Sequence, residues 1–160
     1  EEQKDVPPED KDPKDKPLTL LVRGAAFAAL GNAWPLAPAT QAANVPPLMR
    51  LLITSIPTST WNIRIEILNS IKKILRKTYP NILTSEIVKQ LLPPLYETLN
   101  DLKYSAVRSA ALGAITELVD ATEGSDLLEP HLNEMNQQLL SAEGNPTKKR
   151  KQGPKEQIQM

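Results

Sequence analysis

Three stretches of this chain superimpose without a gap, and that repetition constrains its fold more than any other feature. They are VRGAAFAALGNAW (Val22–Trp34), IRIEILNSIKKIL (Ile63–Leu75) and VRSAALGAITELV (Val107–Val119). Val22, Ile63 and Val107 fall together, as do Phe27, Leu68 and Leu112. So do Leu30, Ile71 and Ile115, and Trp34, Leu75 and Val119. At about 100° per residue the shared apolar positions fill an arc of roughly 140° on a helix. The second residue of each block is arginine, Arg23, Arg64 and Arg108, and it falls near the middle of that arc. A charge placed there is costly unless it is paired or its head snorkels out. Its return in one register, three times, reads as a structural ladder, each arginine pairing with a carbonyl or an acid at the adjoining turn, such as Asp101 for Arg108. The competing reading is a site for an acidic partner or a phosphate, which does not require the fixed register.

A second motif alternates with the first. Val45-Pro46-Pro47-Leu48 matches Leu92-Pro93-Pro94-Leu95, and Leu52 answers Leu99. Proline lacks an N–H and displaces the carbonyl one turn before it, so each pair opens or kinks a helix. The pattern is therefore a proline-marked helix, a short turn, then an arginine-marked helix. Six helices are expected, at about 19–34, 46–56, 61–78, 85–100, 104–121 and 126–141, and no segment alternates with the period of a strand. Pro35 and Pro38 stop the first, Pro57 the second, Pro80 the third and Gly124 the fifth. Ser59 or Thr60, Ser85 and Asp126 are expected N-caps. The arginines recur after 41 and then 44 residues, and helix pairs with a period of about 40–47 residues are the HEAT/armadillo range. The expected fold class is all-α, an α-α superhelix (HEAT/armadillo-like solenoid) of about three helix pairs, each burying its apolar face on its neighbours.

The ends differ from the middle. Residues 1–17 are charged and proline-rich with almost no apolar content, too little to offset chain entropy, and are expected to form a disordered linker. Residues 142–160, broken by Gly144, Pro146, Gly153 and Pro154, are expected to be a disordered basic tail. The folded part is then 18–141. The chain starts at Glu1 rather than Met, and its first unit shows only a second-type helix, which suggests a piece of something larger.

Composition narrows the function. Lysines and arginines balance aspartates and glutamates at 19 each, so net charge steers the chain towards neither nucleic acid nor membrane. There is no cysteine, which excludes disulfides and cysteine-based zinc sites. No apolar run reaches the ~18 residues of a bilayer span, and no secretory signal opens the chain. His131 is the only histidine; it reads as an exposed helix residue after Pro130, with no HExxH-like metal spacing around it. The glycines form no phosphate loop, and Glu66, Glu97 and Glu117 stand singly on helices. No catalytic residue, cofactor or metal is expected, and the chain reads as a binding protein rather than an enzyme. Among the aromatic residues, Trp34 lies on the shared arc and reads as core. Trp61 and Tyr104 begin equivalent helices, as partner anchors or as packing at the turn. Lys148-Lys149-Arg150-Lys151 has the make-up of a nuclear-import signal, of an anion-binding tail or of a solubilising tail.

The segment LPPLYETLNDLKYSAVRSAALGAITELVDAT (Leu92–Thr122) resembles a HEAT repeat in its proline, its Asp101 turn and its Val107-Arg108 pair. STWNIRIEILNSIKKIL followed by LNDLKYSAVRSAALGAITEL is similar to the C-terminal repeats of the proteasome-associated HEAT-repeat adaptor family, where a Trp-led repeat precedes one reading Lys-Tyr-Ser-x-Val-Arg and then a closing helix. The likeness covers roughly residues 18–142. It implies a scaffold that binds 26S proteasome subunits, stabilises or tethers the proteasome, and resides in cytoplasm and nucleus. It carries no catalytic residue. The alternatives are a karyopherin-like transport receptor fragment and a phosphatase-type regulatory scaffold, which use the same repeats.

Overall fold

The computed structural model describes residues 16–143. Those residues form six α-helices: α1 (Lys16–Asn32), α2 (Pro38–Ser55), α3 (Trp61–Lys77), α4 (Ser85–Leu99), α5 (Ser105–Ala121) and α6 (Leu132–Glu143). Short 3-10 turns, Pro80–Ile82 and Glu129–His131, precede α4 and α6, and no strand occurs among the described residues. None of the described helices is long and apolar enough to cross a membrane. α1 begins at Lys16, inside the stretch expected to be linker, and α6 runs to Glu143.

The helices pack in two rows. α3 lies between α1 and α5, while α4 contacts α2 on one side and α6 on the other. α4 also packs on α5, and α2 on α3, which ties the rows together. The apolar stripe of α3 explains its central place: Ile67, Leu68, Ile71 and Ile74 are all fully buried, each stabilising by about 1.5–3 kcal/mol relative to exposure. α4 contributes Val88, Leu91, Leu92 and Leu95 to the same core, and α5 contributes Val107, Ala111, Ala114 and Leu118.

Two of the expected helices differ in extent. α2 starts at Pro38 rather than near 46, so Pro46 and Pro47 lie inside it. Pro38 occupies the first turn, where a missing N–H costs nothing. Pro46 and Pro47 are exposed, as are Ala42 and Ala43 four residues earlier, so the carbonyls the prolines leave unpaired face water. α4 contains Pro93 and Pro94; Pro93 and Lys89 four residues before it are exposed, while Pro94 and Gln90 are half-buried. The last α-helix begins at Leu132, not near 126. The ring of Pro130 would displace the Asp126 carbonyl in a continuous helix, and the chain takes a 3-10 turn there. At α4 the N-cap is Thr84 rather than Ser85, its Oγ1 accepting from the Ile87 N–H at 3.2 Å. Thr60 is the N-cap of α3, but its hydroxyl donates to Asn62 Oδ1 instead of capping. Gly124 has φ +85°, a left-handed turn that lets the chain leave α5.

α1 and α3 approach closely at Gly31. A Cβ there would lie 3.1 Å from Ser70 Cα and 3.2 Å from Lys73 Cβ, and the Ser70 hydroxyl donates to the Phe27 carbonyl across the same contact. Gly113 instead faces the flexible end of Lys72, at 3.6 Å. Gly31→Leu is expected to destabilise by about 1–3 kcal/mol through overpacking, whereas Gly113→Ala should be neutral or stabilise by up to about 1 kcal/mol through helix propensity. Urea unfolding followed by far-UV circular dichroism measures both; equal midpoints would show that the α1–α3 contact is looser than this geometry.

Candidate functional site

The arginine positions meet the turns that join one row to the other. Arg64, in the first turn of α3, donates from Nε to the Ile56 carbonyl at 2.9 Å and from a terminal nitrogen to the Pro57 carbonyl at 3.2 Å. Arg108, at the same place in α5, donates to the Asp101 carbonyl at 2.7 Å. These carbonyls belong to residues at or beyond the ends of α2 and α4, where helical partners run out. The Asp101 carboxylate does different work: it accepts from the Lys103 and Tyr104 N–H groups, both at 2.8 Å, and shapes the entry to α5. Its second oxygen lies 3.9 Å from Arg64, so it faces the arginine of the preceding helix in the row. Asp101 therefore meets Arg108 through its backbone and Arg64 through its side chain. Arg23 is half-buried, but it is the eighth residue of α1 rather than the fourth, and among the described residues it has no carbonyl partner of this kind. Lys148, Lys149, Arg150 and Lys151 lie outside them altogether.

Trp61 and Tyr104, which begin equivalent helices, stack on each other with ring centroids 4.9 Å apart and planes 14° from parallel. Lys103 Nζ sits 5.2 Å from the Tyr104 centroid. The pair lies beside the arginine turns, and Trp61 keeps 39% of its surface exposed. Trp34 is buried, and its Nε1 donates to Thr78 Oγ1 at 3.0 Å. His131 is half-buried at the end of its 3-10 turn. Among the described residues, no three histidines, aspartates or glutamates converge as metal ligands.

Gln41 is the residue that sequence reasoning missed. It is fully buried, its amide nitrogen donates at 2.8 Å to the carbonyls of both Pro35 and Lys77, and its oxygen accepts from the Tyr79 N–H at 3.1 Å. One side chain thus closes three backbone groups at the ends of α1 and α3. The available signal is its position: Gln41 lies one turn before Val45, Met49 and Leu52, on the buried stripe of α2.

Open grooves mark the surface of the described residues, two of them at the outer helices. One, of about 600 Å³, lies between α1 and α2 and is lined by Ala29, Leu30, Trp34, Pro47 and Leu51. The other, of about 380 Å³, lies between α5 and α6 and is lined by Arg108, Ser109, Leu112, Leu139 and Ala142. Neither gathers a set of acid, base and nucleophile. Comparison with protein-family models, curated proteins and solved structures finds no match to this chain.

Gln41→Ala is expected to cost about 2–4 kcal/mol, because it leaves buried backbone groups unpaired at roughly 1–3 kcal/mol each with partial relief by water. Arg108, only 5% exposed, should cost about 1–3 kcal/mol on replacement by alanine, and the more open Arg64 less, since water reaches its carbonyls. Chemical denaturation ranks the three, and a larger loss at Arg64 than at Arg108 would contradict the burial argument. Tyr96 offers a pH test. Burial raises its hydroxyl pKa above the ordinary value of 10.0, and the Glu134 charge adds to the rise. The folded state therefore holds the proton more tightly than the unfolded chain, and stability is full below 10 and falls as pH climbs past it. Ultraviolet titration should show a tyrosine step above 10, and Tyr96→Phe should abolish that step and, because the buried hydroxyl has no hydrogen-bond partner among the described residues, leave stability equal or higher.

Proposed function

We propose that this chain is a segment of a non-catalytic HEAT-type helical-repeat scaffold that presents an extended helical surface to protein partners. The observation that carries the reading is the shared role of Arg64 and Arg108. Each sits fourth in its helix and reaches back to carbonyls of the turn just before it. A device that closes the same turn in successive helix pairs belongs to a stacked array, in which each pair buries its face on the next. The Asp101 carboxylate between the two arginines extends it from one pair to the next as a ladder. Arg23 shares their register in the sequence repeat but stands eighth in α1.

Scaffolds of this architecture serve many partners, and a fold alone does not choose among them. The choice rests on the likeness of Trp61–Leu75 and Leu92–Thr122 to proteasome-associated adaptors. On that basis the partner is the 26S proteasome, which the chain helps to stabilise or tether in the cytoplasm and nucleus. Lys148, Lys149, Arg150 and Lys151 act as the import signal.

Affinity capture from cell extract with the tagged chain, after mild cross-linking, tests the partner. Co-purification of core and regulatory-particle subunits is expected, with recovery at least about tenfold above an untagged control, a gap of 1.4 kcal/mol in binding terms. Capture without those subunits would remove the proteasome from the reading.

A further inference from the structure

Four cations stand close together in the C-terminal half of α3: Lys72, Lys73, Arg76 and Lys77. At about 100° per residue they span an arc of roughly 140°, and none of the buried residues of α3 falls inside it. They therefore lie on the side of α3 turned away from the core. The repeat shows that the fold does not require them. In the same register α1 and the turn after it have Gly31, Asn32, Pro35 and Leu36, and α5 has Thr116, Glu117, Asp120 and Ala121. The macrodipole of a helix favours cations in its last turn, which here holds Arg76 and Lys77, but Lys72 and Lys73 stand before it. Arg76 pairs with Glu117 at 3.1 Å, while Lys72, Lys73 and Lys77 form no ion pair among the described residues.

The lysines are held in place. Lys73 Nζ donates to Asn32 Oδ1 at 2.8 Å and Lys77 Nζ to the Asn32 carbonyl at 3.2 Å, so two ammonium groups converge on one neutral residue. The Lys73 stem crosses α1 at Gly31, where a Cβ would lie 3.2 Å from its Cβ and 3.3 Å from its Cδ. The Lys72 stem lies over Gly113 of α5, at 3.7 Å from its Cδ to a Cβ placed there. All three lysines are half-buried. Side chains already ordered lose less freedom when a partner binds, and an ammonium that gives one hydrogen to Asn32 keeps two more to donate. We propose that this face of α3 docks an acidic segment of a partner protein. Lys73 and Lys77, neighbours at four-residue spacing, take one carboxylate beside Asn32, and Lys72 and Arg76 take a second. The patch is bounded by acids: Glu66 lies in the α1–α3 seam against Gly24, and Asp120 holds the Arg76 position of α5. Such limits suit a short run of aspartates and glutamates and oppose the continuous phosphate backbone of a nucleic acid. The docking is independent of the proteasome assignment.

Fluorescence anisotropy with the full chain tests this without any proteasome. The probes are a labelled glutamate-rich peptide, its glutamine counterpart and a labelled oligothymidine. The glutamate peptide is expected to bind with a Kd in the micromolar range that weakens at high salt. The glutamine peptide should stay unbound, and oligothymidine should bind more weakly than the glutamate peptide. Replacing both lysines on Asn32, Lys73→Gln with Lys77→Gln, should raise the Kd about fivefold or more, with helix content checked by circular dichroism. Asn32→Asp supplies a carboxylate to the same ammonium groups from within, and should raise the Kd similarly while the fold is kept. Arg50→Gln and Lys89→Gln, exposed on α2 and α4, should leave it unchanged. A glutamate peptide that does not bind, or a glutamine peptide that binds equally, would overturn the proposal. So would a Kd unmoved by the lysine or Asn32 variants, an equal loss at Arg50→Gln or Lys89→Gln, or oligothymidine binding as tight as the peptide's.

Discussion

Burial of α3 on both flanks is the constraint on which the rest of the structure depends. Its stripe of isoleucine and leucine is wider than one neighbour can cover, so it requires α1 on one side and α5 on the other. Both neighbours mix small and large residues on the side that meets the core: Phe27 and Leu30 beside Gly31 in α1, and Ile115 and Leu118 beside Val107, Ala111 and Ala114 in α5. Interiors pack at crystal-like density, so the small positions set how near the helices lie. Gly31 against Ser70 is one such close approach of α1 to α3.

Close helix packing creates a polar problem at every turn, because the last carbonyls of a helix lack intrahelical partners. The molecule answers it differently at its two edges. Where the second row leads into the first, arginines reach the carbonyls, and their long apolar stems cross the buried face while the guanidinium arrives at the turn. At the opposite edge neutral groups close the buried positions, the Gln41 amide between Pro35, Lys77 and Tyr79, and the Trp34 indole on Thr78, whose hydroxyl donates in turn to the Ile74 carbonyl, while the exposed Asn32 carbonyl accepts from the Lys77 ammonium. Both solutions satisfy buried backbone without a buried ion pair, which spares the desolvation of two charges.

Stacking of this kind has no natural stopping point within the helices themselves. A terminal helix keeps a face shaped for a neighbour, and here that face is apolar at α1 and mixed at α5 and α6. Exposed Val22, Leu36 and Leu51 cluster towards the α1 end, and Leu112, Val119 and Leu140 towards the other. Surface of this sort governs what the protein associates with more directly than any pocket does, since each groove is the place where one more helix fits.

Much of this was legible in the residues. The 3.6-residue period gave the helices and their number, and prolines and glycines marked the turns, because both signals act locally on the backbone. The equivalence of Arg64 and Arg108 was also visible, since identical spacing puts them at one place on α3 and α5; Arg23, in the same register of the repeat, stands eighth in α1. The route of α2 through Pro46 and Pro47 was not, because tolerance of a helical proline depends on whether the freed carbonyls face water. Nor was the role of Gln41, whose three partners come from segments up to 38 residues away. The sequence by itself determined which positions are equivalent; only the tertiary structure decided which of them are buried. Val22, Ile63 and Val107 are one column in the sequence, yet among the described residues only Ile63 and Val107 are covered by a preceding helix. Asp101 shows the same division, since its place at the turn suggested a partnership with Arg108, but packing of α3 against α5 turned its carboxylate towards Arg64 and left Arg108 the backbone carbonyl.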